Sequence, residues 1–282
     1  VFQGKSEKPV YLWVNDGKAE LKDATELATL GARALEDAIR DEMGSSKIRV
    51  AQTGLAGMNG VIYANITNNL GNFNGRNGMG ALMGSKNVRA VAALGSQKIE
   101  FADLDYLRQT AKEYAKTFRN NPAGEALHVY GTTTFPEILS AAGALPVNNF
   151  RRSALEEAAL IGGDTYNEIL LNKRKGCHAC PIQCKRGVAL DDPKYGIDSR
   201  YGGPEYETIA ALGSNLNITN LKAIAKGNEI CNRYCMDTIS TGLTIAFAAL
   251  APDKAVAGTP MPGKMPSPHN TKLSNGVLPS LR

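Results

Sequence analysis

The sequence lacks a long apolar run, a signal peptide and an even number of cysteines. No apolar stretch approaches the roughly 20 residues that cross a bilayer, so no membrane partner is expected. The first residues, Val1 to Gly4, carry no initiating Met, no basic start and no apolar core, which favours a cut inside a longer protein. Five cysteines, three of them within eight residues, do not suit a secreted disulfide framework. We therefore expect a reducing, cytoplasmic location.

Charge of one sign is not concentrated enough to indicate a polyanionic partner. The formal net charge of +5 is scattered, and the tightest basic cluster runs from Lys173 to Lys175, followed by Lys185 and Arg186. Such runs more often form a solvated face than a nucleic-acid site, so no nucleic acid is expected as a partner. A basic rim around a redox centre would instead suit an acidic electron carrier, through electrostatic steering.

The chain can bury a sizeable core without disulfides, because 43% of its 282 residues are hydrophobic. Its first third is mainly β-like. Asp16-Gly17 predicts a hairpin turn between two strands. The predicted strands span 10–14, 19–22, 49–52, 61–66 and 88–94, with one helix at 34–43.

The hydrophobic period becomes helical from Phe101 onwards. Residues 153–156 are typical of a capping box, and Thr219 or Asn220 is expected to cap a long helix. The first helix predicted after Phe101 carries an apolar stripe of Leu107, Ala111, Tyr114 and Phe118. The long helix would place on one face Leu221, Ile224, Asn228, Cys231 and Cys235.

A β-rich first part followed by a helical second part predicts an α+β fold. We place the β-rich domain at residues 1–97 and the mainly helical domain at residues 98–250. Residues 251–282 hold six of the thirteen prolines and are expected to be irregular or disordered, or to be out of the original reading frame.

Three cysteines form the sharpest local motif, a C-x2-C-x3-C spacing at Cys177, Cys180 and Cys184. Thiolates are soft ligands that suit iron–sulfur clusters and zinc. Four ligands are normally required, and no second C-x2-C pair completes a zinc site. A metal site is a better explanation of three closely spaced cysteines than the absence of any role. His178 is the only histidine inside the motif, and a histidine in such a position is more often a loop residue than a ligand.

Four segments in this order and spacing resemble the aldehyde:ferredoxin oxidoreductase family. They are the Gly-rich run at 75–90, the cysteine motif at 177–184, the run Gly203-Pro204-Glu205-Tyr206-Glu207-Thr208, and residues 224–242. The resemblance implies a β-rich domain that forms a base for two pterins, followed by helical domains. It also implies a tungsten or molybdenum ion held by the bis-pterin, one [4Fe-4S] cluster, and oxidation of a small aldehyde to a carboxylic acid with electrons passed to ferredoxin.

The resemblance assigns roles to residues of both halves. Cys177, Cys180 and Cys184 match the first three cluster ligands. Arg76 and Asn77 match positions that reach the pterin. Beside them, Gly78 and Gly80 would let the backbone approach closely, although a mere turn explains these two glycines equally well.

Residues 232–238 match the first of two pterin loops of the family. Asn232, Met236 and Asp237 are the matched cofactor-binding residues. Asn232 stands where the pattern has Asp, which keeps an acceptor but loses the charge. Cys235 stands where it has Gly, so a left-handed turn there would be strained. Cys235 is alternatively a core residue.

Glu207 matches the family's glutamate close to the metal and is the candidate catalytic base. The simpler interpretation is that Glu205 and Glu207 begin a helix after Pro204, where carboxylates suit the positive end of the helix dipole.

The family's proteins are roughly twice as long, and segments that carry the fourth cluster cysteine, the second pterin loop and a histidine are not matched here. We therefore expect an incomplete fragment, whose partner would be a second copy in a homodimer or a chain that supplies the missing segments. The alternatives are a non-catalytic module that binds an iron–sulfur cluster or zinc, and a truncated, inactive gene product.

Overall fold

Eight strands and ten α-helices lie along residues 2–250, the part of the chain that the computed structural model describes. The strands are β1 (Val10–Asn15), β2 (Lys18–Asp23), β3 (Arg49–Thr53), β4 (Ile66–Asn68), β5 (Asn72–Asn74), β6 (Val88–Leu94), β7 (Leu171–Lys175) and β8 (Lys185–Val188). The helices are α1 (Ala32–Glu42), α2 (Leu55–Met58), α3 (Met79–Ser85), α4 (Leu104–Thr117), α5 (Pro122–Tyr130), α6 (Phe135–Ala141), α7 (Gly163–Ile169), α8 (Tyr206–Leu212), α9 (Leu221–Tyr234) and α10 (Thr238–Leu250).

The first six strands form one mixed sheet in the order β2-β1-β6-β3-β4-β5. β1 and β6 are parallel, and the other neighbouring pairs are antiparallel. Asp16 and Gly17 have φ of 44° and 82°, the left-handed pair that suits a tight hairpin between twisted strands. α1 packs Leu35 and Ile39 against Tyr11 of this sheet. The predicted hairpin, the first helix and the α+β fold are confirmed.

The strand predicted at 61–66 is wrong, because only Ile66 lies in a strand. The backbone of this segment bonds to α3 and to the connection after α9 instead of to a neighbouring strand of the sheet. Gly80 N in α3 donates to Ala64 O at 2.9 Å, and Asp237 N donates to Tyr63 O at 3.0 Å. The β-like composition therefore reflects packing between elements, not membership of the sheet.

The capping box predicted at 153–156 is also wrong, since no helix begins there. The backbone polar groups of this segment are satisfied by another element. Leu155 N donates to Ser140 Oγ at 2.9 Å, and Ser140 Oγ donates back to Leu155 O at 2.9 Å. Leu145 N donates to Ser153 O at 3.0 Å. With these bonds made, the segment runs as a loop beside the core of the helical half.

The long helix predicted after residue 220 is confirmed as α9. Asn220 is its N-cap, and the side-chain oxygen accepts from Ala223 N at 3.2 Å. All five residues assigned to one face are buried. The apolar stripe predicted at residues 107–118 lies on α4. Residues 104–117 of this helix are all exposed, and only the following Phe118 is buried.

Two sets of contacts join the sheet to the helical half. Arg200 donates two 2.8 Å hydrogen bonds to the carboxylate of Asp37 on α1, and Arg33 bonds to Asp198. At the end of α9, Cys235 O accepts from Asn65 N at 2.8 Å, and Met236 forms a β-bridge with Ala64. The connection after α9 is thereby fixed against the sheet domain.

Within residues 2–250, no helix has both the length and the apolar character that a bilayer crossing requires. The domain boundary between residues 97 and 98 stays a prediction. The irregular tail predicted at 251–282 lies outside the described residues.

Replacing Gly80 with Ala is expected to destabilise the fold by about 2 kcal/mol or more, because overpacked positions cannot relax when the obstacle is backbone. A Cβ on Gly80 would overlap the backbone of Ala64 and Asn65. Gly75→Ala is the matched control, since a Cβ there meets nothing within 4 Å. Urea unfolding of both variants would measure the difference, and equal stabilities would contradict this packing argument.

Candidate functional site

A cavity of about 270 Å³, lined mostly by polar and charged residues, lies where the sheet half and the helical half meet. We call it the central cavity. It receives Asn65 and Asn72 from the sheet half and Asn228 and Asn232 from α9. The rest of its lining comprises Asn69, Gly71, Phe73, Gly75, Lys175, Gly176, Lys185, Arg186, Arg200, Tyr201, Gly202, Gly203, Glu205, Thr208, Met236, Asp237 and Thr238.

The asparagines of α9 give the cavity donors and acceptors without a fixed charge. Asn232 is buried and donates to Tyr201 O at 2.9 Å, which leaves its oxygen as an acceptor. Asn228 is 4% exposed, and its Nδ2 has no hydrogen-bond partner among the described residues. A buried donor without a partner costs about 1–3 kcal/mol, so Asn228 is suited to a ligand that accepts a hydrogen bond.

Cations contribute to the lining of the cavity, among them Lys175 and Arg200. Lys175, at the end of β7, donates to Ser199 O at 3.2 Å, and burial followed by the neighbouring Lys173 lowers the pKa of its ammonium group. Arg200 is oriented by Asp37 and keeps further donors for a second partner. A phosphate would offset the cost of holding these charges together.

The loop after α9 has the left-handed conformation expected of the matched glycine. Cys235 has φ 57° and ψ 52°, and its side chain is fully buried. This residue is therefore both part of a left-handed turn and part of the core. Its thiol packs beside Ala32, Leu70 and Tyr201. Burial raises the pKa of the Cys235 thiol to about 11, so it stays protonated at neutral pH.

Asp237 and Arg76 bring the two halves together at the cavity edge. Asp237 is buried and accepts from Ser240 N at 2.9 Å and from Ser240 Oγ at 2.5 Å. Arg76 Nε lies 3.3 Å from Asp237 Oδ2, and the Arg76 side chain is 56% exposed. Met236 and Asp237 line the cavity, whereas Arg76 stands at its margin.

The Gly-rich turn packs against protein backbone. Asn77 and Gly78 have φ of 75° and 70°, and neither lines the central cavity. A Cβ on Gly78 would overlap Ile62 O. Gly78 and Gly80 therefore let α3 approach residues 62–65, and binding of a cofactor by these glycines and by Asn77 stays a prediction.

Of the two candidate carboxylates, Glu205 lines the central cavity and Glu207 does not. Glu207 is exposed in the first turn of α8, and its catalytic role stays a prediction. Glu205 accepts a 2.5 Å hydrogen bond from Thr132 Oγ1. Burial raises the pKa of the Glu205 carboxyl, against the smaller opposing effects of Thr132, Lys185 and Arg186.

The three motif cysteines share one loop between β7 and β8. Cys180 N donates to Cys177 O at 3.1 Å, and Ala179 and Gln183 take left-handed φ of 55° and 52° that coil the loop. Cys177 is exposed, and Cys180 and Cys184 are half-buried, all as free thiols. Burial raises the pKa of the Cys184 thiol, with further increases from Glu205, Cys177 and Cys180.

Arg186 holds this loop in place through hydrogen bonds to its backbone. Its guanidinium is fully buried and donates to Gln183 O at 3.2 Å and to Cys184 O at 3.2 Å. It also donates to the backbone carbonyls at the end of α5, namely those of Leu127, His128 and Val129, at 2.9–3.2 Å. A cation beside the C-terminus of a helix is electrostatically favourable. One side chain thus joins the cysteine loop to α5.

The donor sets fit the groups that the sequence predicts. Three soft thiols suit an iron–sulfur cluster, and the unpartnered Asn228 Nδ2 in a cavity that is also lined by cations suits a heteroaromatic ring with a phosphate. Within residues 2–250, no three His, Cys, Asp or Glu side chains are gathered closely enough to hold a metal ion. The cysteines would therefore have to draw together around a cluster, which loop residues can do more easily than a helix or strand.

Sequence reasoning missed four of the residues that shape the site as functional groups: Asn228, Arg186, Arg200 and Glu205. Their positions depend on contacts between distant segments. A signal was available only for Glu205, which lies two residues before Glu207 in the same motif.

Comparison with known proteins matches both halves of the chain. A model of the aldehyde ferredoxin oxidoreductase N-terminal domain matches residues 1–95, and a model of domains 2 and 3 of that family matches residues 109–261. The tungsten-containing aldehyde ferredoxin oxidoreductases of Thermococcus kodakarensis and Pyrococcus furiosus are each 39% identical over 249 residues. These alignments cover 88% of this chain and 40% of each relative, so the chain spans two fifths of their length.

A more distant relative is the aliphatic sulfonate oxidoreductase, WOR-like subunit, of Pyrococcus furiosus, at 27% identity over 88% of this chain and 42% of the relative. Among solved structures, the active site complex BamBC of benzoyl coenzyme A reductase with 1,5-dienoyl-CoA matches with a TM-score of 0.74. That match covers 92% of this chain and 41% of the other at 22% identity, and it supports the fold alone.

Replacing Cys235 with Gly is expected to leave the protein about 1 kcal/mol more stable than replacing it with Ala, because a left-handed residue with a Cβ is strained. Tyr234, the last residue of α9, is the control position, where Gly is expected to be about 1 kcal/mol worse than Ala. Denaturant unfolding of the four variants gives both differences. If Ala were more stable than Gly at both positions, or Gly more stable than Ala at both, the result would contradict strain in this turn.

Proposed function

The chain belongs to the aldehyde ferredoxin oxidoreductase family, and we propose that it forms the cofactor-binding part of an oxidoreductase that converts a small aldehyde to a carboxylic acid in a reducing cytoplasm. Its cofactors are a tungsten or molybdenum bis-pterin and a [4Fe-4S] cluster, and its electron acceptor is ferredoxin. The substrate, the partner and the cluster are all parts of this proposal, since the chain spans 40% of the relatives' length.

The central cavity and the cysteine loop share a wall, and this observation carries the proposal. Gly176 and Lys185, the residues on either side of the loop, both line the cavity. Glu205 also lines it and lies close enough to Cys184 to raise the pKa of that thiol. A pterin in the cavity and a cluster in the loop would therefore be neighbours, as electron transfer between them requires.

The residues of the cysteine loop and of the central cavity would bind the cluster and the pterin through different contacts. Cys177, Cys180 and Cys184 would bind iron as thiolates. Asn228 and Asn232 would hydrogen-bond the pterin, while Lys175 and Arg200 would neutralise its phosphate. Arg76 and Asp237 would close the cavity edge by their contact across the two halves.

When bound, the metal–pterin group would supply the two-electron oxidation in which an aldehyde and water give a carboxylic acid, two protons and two electrons. Glu207 is the base that we propose for accepting one of these protons. It lies one residue before Thr208, which lines the cavity, and its exposure lets a proton pass on to solvent.

A second candidate function is a metal-binding module without catalysis, in which the same three cysteines hold zinc or an iron–sulfur cluster. The exposed Cys177 and the coiled loop favour it, because they offer thiolates to a metal whether or not the central cavity is filled.

The experiment that tests the proposal is metal and sulfide analysis of the chain expressed and purified without oxygen. We expect iron and sulfide, together with a broad visible absorption that bleaches on reduction. We expect Cys177→Ser, Cys180→Ser or Cys184→Ser each to lose most of the iron, because each removes one of three soft ligands. Cys231→Ala is the control, since this thiol is buried on α9 and should leave the iron unchanged.

Tungsten or molybdenum in the same sample would support the pterin site in the central cavity. Zinc held by the three cysteines without iron would favour the second candidate function. Iron content unaffected by all three serine variants would contradict the assignment of the cluster ligands.

A further inference from the structure

Helix α4 presents an apolar face that no described residue covers. The helix runs for 14 residues, and none of them is buried. Leu104, Leu107 and Tyr114 are 39%, 44% and 50% exposed, and they recur at helical spacing on one stripe together with Ala111. Nothing within residues 2–250 covers this stripe, and exposed apolar stripes of this kind are typical of interaction surfaces.

Basic side chains flank this stripe. Arg108, Lys112 and Lys116 are four residues apart and therefore share one side of α4. Arg108 lies 3.6 Å from Asp105, whereas Lys112 and Lys116 form no ion pair within residues 2–250. Between residues 108 and 119 the only acidic residue is Glu113. The C-terminal half of the helix therefore combines an apolar centre with a positive rim.

The stripe ends beside the cysteine loop. A groove of about 380 Å³ is lined by Tyr114 and Phe118 on one side and by Ile182, a residue of that loop, on the other. Phe118 meets the His128 ring edge-on at 5.6 Å between centroids, and His128 Nδ1 lies 2.8 Å from Ile182 O. A molecule seated on this half of α4 would thus contact the segment between Cys180 and Cys184.

The hairpin that carries the loop is also basic. Residues 171–188 contain five Lys or Arg residues and no Asp or Glu. Lys173 and Arg174 are exposed, and Cys177 at the start of the loop is exposed as well. Exposed positive charge is therefore found on the strand that leads into the cysteine loop as well as on α4.

We propose that the C-terminal half of α4 and the cysteine loop form the docking surface for an acidic electron-carrier protein of the ferredoxin type. The proposal rests on the proposed function, because it requires a cluster in the loop. At each docking, one electron leaves the reduced cluster and reduces one oxidised carrier, so two dockings match the two electrons from one aldehyde. An apolar centre with a charged rim is the usual composition of a transient interface, and opposite charge speeds encounter.

The test uses the anaerobically purified chain and a purified ferredoxin of net negative charge as the probe. Lys112→Glu combined with Lys116→Glu is expected to weaken ferredoxin binding about tenfold or more at low ionic strength, and the difference should shrink at high salt. Lys18→Glu combined with Lys47→Glu is the control, since it changes the net charge equally at exposed positions of the sheet half. That control is expected to bind within about twofold of the parent chain, because the altered charges lie away from the docking surface.

A third variant, Tyr114→Ala, tests the apolar centre and should weaken binding without changing its salt dependence. The visible spectrum of every variant separates docking from cofactor loading. Equal loss of affinity in the two charge-reversed proteins, with the cluster spectrum intact, would overturn the docking surface and leave the proposed function standing.

Binding of the parent chain to anionic lipid vesicles but not to ferredoxin would overturn the docking surface in the same way. Absence of the cluster from the parent chain would contradict the proposed function and, with it, the docking of an electron carrier.

Discussion

The buried guanidinium of Arg186 is the interaction on which the candidate site depends. It donates to carbonyls at the end of α5 and to carbonyls of the cysteine loop, so two segments that are more than fifty residues apart in sequence share one anchor. Burial, followed by the neighbouring Arg174, lowers the pKa of this guanidinium. Loss of the side chain would remove the donor of the buried His128 carbonyl, at a cost of about 1–3 kcal/mol, and would break both contacts with the loop. The position of the loop beside the central cavity follows from that anchor.

The second constraint is the strained turn at the end of α9. Cys235 adopts a conformation that glycine would adopt without strain, and the turn is kept because its carbonyl and the following residues bond to residues 63–65. Those bonds aim Met236 and Asp237 at the cavity, so the backbone strain has a structural use. The sheet half therefore acts as a template for a loop that belongs to the helical half.

Local patterns in the sequence predicted the elements whose physics is local. The Asp16-Gly17 hairpin and the Asn220 cap of α9 depend on a few neighbouring residues, and both are confirmed. The strand at 61–66 and the capping box at 153–156 failed because distant groups, on α3 and on Ser140, satisfy the backbone of those segments. The site shows the same division. The cysteine loop was predicted from spacing and family resemblance, whereas Arg186 and the unpartnered Asn228 depend on tertiary contacts that no local pattern encodes.

Hydrogen–deuterium exchange tests most directly whether a cluster lies in the loop of residues 176–184. The amide exchange of the chain would be compared before and after anaerobic reconstitution with iron and sulfide. Slower exchange concentrated in residues 176–188, with α4 unchanged, is the expected result, because bound thiolates would fix the loop between β7 and β8. Unchanged exchange in this loop, or protection confined to the region of Cys231 and Cys235, would contradict the account.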